Sequence, residues 1–131
     1  MKQSTNAWLT AAEDDLMAIE SLLSNASLTH IVAFHAQQAI EKSLKALYEE
    51  WNIPVIRTHN LETLFSKVKS NWDTGFDDKL LAEMDRLYLD ARYPGDFGLM
   101  PYGKPTYEEA KTYYEEAKRF RDFVVNKLMC Q

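Results

Sequence analysis

Turn-forming residues are scarce in this chain, and that limits what it can fold into. Its 131 residues include four glycines and four prolines, and three of each lie in one stretch, YPGDFGLMPYGKP at 93–105. Elsewhere only Pro54 and Gly75 interrupt the chain. A sandwich or barrel of many short strands needs turn signals at close intervals. This sequence favours a few long elements instead, and the apolar periodicity says of which kind.

Trp8, Ala12, Leu16, Ile19 and Leu23 recur at three- and four-residue steps, one face of a first helix. Asn25 to Ser27 are turn and capping residues. A second helix is predicted from about Leu28 to Trp51, where Pro54 prevents further continuation. Asn60 is a candidate N-cap for a short third helix whose inner residues are Leu61, Leu64, Phe65 and Val68. NWDTG at 71–75 reads as a loop. A fourth helix follows, with Leu80, Leu81, Met84, Leu87, Tyr88 and Ala91 facing inward. Thr106 and Glu109 form the T-x-x-E capping pattern of a last helix, which runs to about Met129 and buries Tyr113, Ala117, Phe120, Val124 and Leu128. The expected fold is all-α: a compact up-and-down bundle of about five helices, forming one domain over 1–131.

Composition narrows the function classes. Hydrophobic residues make up 46% and charged ones 27%, as in an ordinary soluble globular protein. A net charge of −5 argues against duplex DNA as a ligand, because phosphates are held by a cationic surface. Cys130 is the single cysteine, so neither an internal disulfide nor a thiolate zinc site is expected. Glu13, Asp14 and Asp15 stand where a signal peptide would carry its apolar run, and the run IVAF at 31–34 is far too short to cross a bilayer. A cytoplasmic location and no membrane contact are expected. No Walker loop, GxGxxG or GxSxG is present, and no cofactor is expected.

The second helix carries the most informative polar pattern, FHAQQAIEKSLKALYEEW at 34–51. On a wheel of about 100° per residue, Glu41, Lys45, Gln38, Lys42 and His35 fall within an arc of roughly 120°. Val32, Ala36, Ala39, Ile40, Leu44, Leu47 and Trp51 occupy the other side. So wide an apolar arc marks a central helix, and its narrow polar strip must meet water, a cavity or another subunit. One reading is a solvated face with Glu41–Lys45 as an i, i+4 pair. The other is a binding surface. His30 and His35 are five apart and point in different directions, which excludes an HxxxH metal site.

The remaining acidic groups read as structural. Glu108–Glu109 and Glu115–Glu116 lie near Lys111, Lys118 and Arg119 and are expected as surface ion pairs. Asp14–Asp15 and Asp77–Asp78 are expected to face solvent. The 93–105 segment is rich in apolar residues (Tyr93, Phe97, Leu99, Met100, Tyr102), so it either folds back over its own core or meets a partner.

Three segments, FHAQQAIEKSLKAL, RTHNLETL and LYLDARYPG, stand in an order and spacing that resembles the HEPN domain family (higher eukaryotes and prokaryotes nucleotide-binding). AAEDDLMAIESLL and TYEEAKTYYEEA extend the resemblance over nearly the whole chain. It implies a dimer of helical bundles, often found with a minimal nucleotidyltransferase partner in toxin–antitoxin-like pairs. Some members cleave RNA with an Arg and a His separated by four to six residues. Here Arg57, Arg86, Arg92, Arg119 and Arg121 all lack a His in that window. The resemblance therefore implies a non-catalytic module that dimerises and binds a nucleotide or a nucleotidyltransferase. Its candidate ligand-binding residues are His35, Gln38, Lys42, Lys45, His59, Arg92 and Tyr93. Alternatives are a divergent ribonuclease using His35 or His59 with Arg92, or a purely structural oligomerisation protein. Arg92 has its own structural alternative: fastening the loop through Asp85, Asp90 or Asp96.

Overall fold

The periodic segments fold as helices in a computed structural model, which describes residues 1–54, 56–69, 75–92 and 104–129, with 90–92 as backbone only. In chain order they are α1 (Gln3–Leu22), a 3₁₀ turn (Ala26–Leu28), α2 (Thr29–Glu50), α3 (Leu61–Ser66), α4 (Asp78–Arg92) and α5 (Tyr107–Met129). No strand occurs among the described residues, so the all-α expectation holds. The ends of α2, α4 and α5 agree with the sequence to within a residue or so, whereas α1 starts earlier, at Gln3, and α3 stops at Ser66, leaving buried Val68 in the turn that follows. Residues 71–74 of the NWDTG loop, residues 93–103, Cys130 and the Ala91 side chain lie outside the described residues.

Local chemistry sets the boundaries. Asn25 Oδ1 accepts the Ser27 backbone N–H and opens the 3₁₀ turn, and Asn60 Oδ1 accepts that of Thr63 at 2.8 Å to open α3. Thr106 and Glu109 close the predicted capping box in both directions, at 2.9 and 3.1 Å. At the end of α2, Asn52 takes the left-handed conformation (φ 55°). Its N–H donates to Glu49 O and the Ile53 N–H to Tyr48 O, a Schellman motif with Pro54 just beyond.

Helix α2 packs against α1, α5, α4 and α3, as its broad apolar arc requires. Val32, Ala36, Ala39, Ile40, Leu44 and Leu47 are buried, whereas Trp51 at the helix end is half-buried. Alanines at 33, 36, 39 and 46 are fully buried, and side chains that short let neighbouring helices approach closely. Ala12, Leu16 and Ile19 meet them from α1, with Trp8 and Leu23 half-buried at its margins. Leu81, Met84 and Tyr88 face inward from α4. Tyr113, Ala117, Phe120, Val124 and Leu128 do so from α5. Phe65, Phe76 and Phe120 pack ring to ring, with Phe76–Phe120 centroids 4.3 Å apart.

The end of the 93–105 segment is tied to the corner between α1 and α2. Lys104 Nζ donates to Ser27 O at 2.8 Å, and Thr29 Oγ1 donates to Pro105 O at 2.6 Å. Lys2 fastens the opposite end of α1: its backbone N–H donates to Glu50 at 3.0 Å and its ammonium to Glu49 O at 2.8 Å. Thr5 Oγ1 reaches the same Glu50 carboxylate, which these donors hold below the usual carboxylate range, the Lys2 backbone N–H most of all.

Candidate functional site

The polar strip of α2 is organised by carboxylates that the helix packing buries. Asp15 on α1 is only 7% exposed. Its Oδ1 lies 2.8 Å from His35 Nδ1 and its Oδ2 2.7 Å from the Lys42 ammonium. The sequence expectation that Asp15 faces solvent is therefore wrong. Asp15 shares a helical face with Ala12, Leu16 and Ile19, and α2 closes over that face. Asp14, one residue earlier, is exposed as expected.

Glu41 is 3% exposed and anchors a second group. It accepts from Lys45 at 2.9 Å, lies 3.0 Å from His59 Nδ1 and takes a long contact of 3.4 Å from Gln38 Nε2. The i, i+4 pair Glu41–Lys45 is thus present but not on a solvated face. Lys45 also lies 5.4 Å from the Trp8 ring centroid, a cation–π distance.

The second group continues inward. Gln38 Nε2 donates to Gln37 Oε1 at 2.9 Å. Gln37, fully buried, donates through Nε2 to His59 O at 2.6 Å and to Asp85 Oδ1 at 3.2 Å. Asp85 on α4 accepts the Leu61 backbone N–H at 2.9 and 3.0 Å, at the start of α3. Burial pushes its carboxyl above the usual range, against the pull of the Leu61 and Gln37 donors. The start of α3 and the middle of α4 are thereby fastened to the strip.

Aromatic rings line the same border. Phe34 and Tyr88 stack with centroids 5.3 Å apart and planes inclined by 17°. The His59 ring lies 5.6 Å from Tyr88, and the His35 ring meets Phe34 edge-on at 5.4 Å. His59 is the most open of the polar groups, with 58% of its side chain exposed, against 27% for His35.

Of the seven residues singled out from sequence, the structure gathers five into these two groups: His35 and Lys42 on Asp15, and Gln38, Lys45 and His59 on Glu41. Arg92 is the last residue of α4, but its side chain lies outside the described residues, as does Tyr93 altogether. Asp15, Gln37 and Asp85 were missed. Each stands on the apolar face of its helix, and a polar residue in that register is the signal that could have found it. His30 does not join the strip. Burial, with Lys104 nearby, lowers its pKa, and its Nδ1 is buried without a hydrogen-bond partner among the described residues.

His35 and His59 each turn Nδ1 to a carboxylate. When Nδ1 carries the proton, Nε2 is left as the working nitrogen. Among the described residues neither Nε2 makes a hydrogen bond. Each ammonium has three N–H groups, and one of them meets a carboxylate. Among the described residues no cluster of three or more His, Cys, Asp or Glu side chains is placed to share a metal ion, and no helix is long and apolar enough to cross a membrane.

The family model for the HEPN domain matches residues 5–128. The chain is also similar to the crystal structure of ST0689, an archaeal HEPN homologue, with TM-score 0.65 and 24% identity over 97% of this chain and 98% of that one. A second similar structure is TT1696 from Thermus thermophilus, with TM-score 0.69 and 21% identity over 96% of this chain and 99% of that one. No curated protein matches.

Proposed function

The chain belongs to the HEPN domain family, and from that premise we propose that it is a non-catalytic, cytoplasmic binding module. In this reading it works as a dimer and holds a phosphate-bearing ligand, a nucleotide foremost, along the α2 strip. A minimal nucleotidyltransferase in a toxin–antitoxin-like pair is its proposed protein partner. One observation carries the reading: two buried carboxylates hold a lysine and an imidazole each, at the edge of one helix. Head groups fixed in this way lose little rotamer entropy when a ligand arrives. The spare ammonium hydrogens suit phosphate oxygens, and the exposed His59 ring with half-buried Phe34 offers a base a stacking surface. Arg92 would add a bidentate phosphate contact.

A thermal-shift panel of nucleotides tests this. A ligand at a hundred times its Kd adds about 2.7 kcal/mol of stability, a clear rise in Tm. Lys45→Ala and Arg92→Ala should abolish the rise while keeping the helical circular-dichroism spectrum. No rise with any nucleotide rejects the ligand reading.

The two carboxylate–imidazole pairs also favour a second reading, a divergent ribonuclease. A carboxylate on Nδ1 orients the ring so that Nε2 can take a 2′-hydroxyl proton, and a neighbouring ammonium can stabilise charge developing on the phosphate. The protein should then cut RNA in EDTA, and His35→Ala or His59→Ala should stop it. Intact RNA across a range of pH and substrates sinks this reading.

A further inference from the structure

We infer that the α2 strip takes up protons on His35 and His59 when it binds an anion, so that its affinity for a dianionic phosphomonoester rises as pH falls. This rests on the phosphate-binding reading above and concerns how that site is regulated.

The charge inventory is the first reason. Among the described residues, the charged and titratable groups in contact with the two imidazoles are Asp15 from α1, Glu41 from α2 and Tyr88 from α4; Lys42 and Lys45 share the same carboxylates, Asp85 of α4 follows through Gln37, and exposed Glu62 of α3 lies beside Asp85. Lys42 is paired with Asp15 and Lys45 with Glu41, at 2.7 and 2.9 Å. With both imidazoles neutral, the two ammoniums are balanced by the carboxylates they face, so the site's surplus is at most the one charge that the reading above assigns to Arg92, short of a dianion's two. Protonating both adds two charges, which match a terminal phosphate dianion better than a singly charged diester.

Hydrogen-bond polarity is the second reason. His35 Nδ1 faces Asp15 at 2.8 Å and His59 Nδ1 faces Glu41 at 3.0 Å, so each neutral ring keeps its single proton on Nδ1. Its Nε2 then presents a lone pair, which repels a phosphate oxygen. Protonation turns the same nitrogen into a donor without moving the ring, because the Nδ1 bond is made in both states. Imidazole is the side chain that ordinarily makes this change between about pH 5 and 8. The buried carboxylates thus both place the rings and make anion contact at Nε2 conditional on a proton.

Calorimetric titration with AMP tests the inference. At about pH 7.5 the AMP phosphate is already mainly dianionic, since its second pKa is about 6. Repeating the titration in buffers of different ionisation enthalpy counts the protons taken up. The expected result is net uptake of up to about two protons per AMP, with affinity rising by up to about tenfold per pH unit for each proton linked. His35→Gln and His59→Gln should each remove part of the uptake, and the double variant all of it, while Lys45→Ala weakens binding at every pH. AMP binding without proton uptake, at an affinity flat between pH 6 and 8, overturns the inference and leaves the binding reading intact. No AMP binding at any pH overturns the inference, whereas the binding reading falls only if the whole nucleotide panel fails.

Discussion

Asp15 on α1 and His35 on α2 face each other across the helix interface, with Oδ1 2.8 Å from Nδ1. The second oxygen of the same carboxylate holds Lys42, so one buried acidic group fixes two neighbours on the strip. Removing it should be felt in stability as well as binding. Asp15→Ala leaves His35 and Lys42 without their acceptor. Both are partly exposed and can turn to water, so the expected loss is about 1–3 kcal/mol rather than the larger cost of an isolated buried charge. Asp14→Ala, at an exposed site, should stay within about 0.5 kcal/mol of wild type. Urea unfolding of the two variants side by side measures the contrast. Equal effects would show that Asp15 is not an anchor.

The C-terminus of α2 makes a sharper backbone prediction. Asn52 sits at φ 55°, in the left-handed region that suits Gly and Asn. Asn52→Ala keeps a Cβ in that conformation but loses the short polar side chain that makes Asn tolerant of it, and should cost about 1–2 kcal/mol. Asn52→Gly relieves the backbone but gives up the side-chain contact with Lys2, and should remain within about 0.5 kcal/mol of wild type. Thermal unfolding that ranks Gly at or below Ala would refute the backbone account.

The helices and their inner faces were legible because one helix's periodicity is a local property. Leu61, Leu64, Phe65 and Val68 could be placed from spacing alone, and all are buried. Asn60 and the Thr106–Glu109 box could be read because a cap acts within three residues. The strip was only half legible. His35, Gln38, Lys42 and Lys45 share an arc of one helix and were found together. Their acceptor Asp15 comes from another helix, and which helix closes over which depends on packing that no single period encodes. Yet the register held a trace. Asp15 falls in the series 12, 15, 16, 19, and Asp85 in 81, 84, 85, 88, both otherwise apolar. A carboxylate in such a series must find donors inside the fold or lose stability.

The core itself should respond by position rather than by residue type. Leu44 is fully buried at the centre of α2, where helices close in around it. Leu44→Ala removes apolar contacts and leaves a cavity, and should cost about 2–5 kcal/mol. Leu89 on α4 is 48% exposed, and Leu89→Ala should change stability by no more than about 0.5 kcal/mol. Comparable losses in denaturant midpoint would contradict the packing described here.

Asp85 should leave a signature in the pH dependence of stability. Burial raises its carboxyl above the ordinary value of 3.8, although Leu61 and Gln37 donate to it. A carboxyl raised in the folded state binds more protons folded than unfolded, so its contribution is full below the ordinary value and is lost as pH rises through the folded one. Asp85→Asn cannot titrate and removes this dependence while keeping nearly the same shape. The stability of wild type minus that of Asp85→Asn should therefore fall as pH rises from about 4 toward neutrality, starting near the ordinary carboxyl value. The Asn variant has a separate, pH-independent cost, since an amide offers one acceptor oxygen where the carboxylate offers two to Leu61. Urea denaturation of both proteins at several pH values separates the two effects: the offset reports the lost acceptor, and the slope reports the titration. A difference that grows in favour of wild type with rising pH would mean that the Leu61 and Gln37 hydrogen bonds outweigh desolvation, and that Asp85 is a stabilising carboxylate at neutral pH.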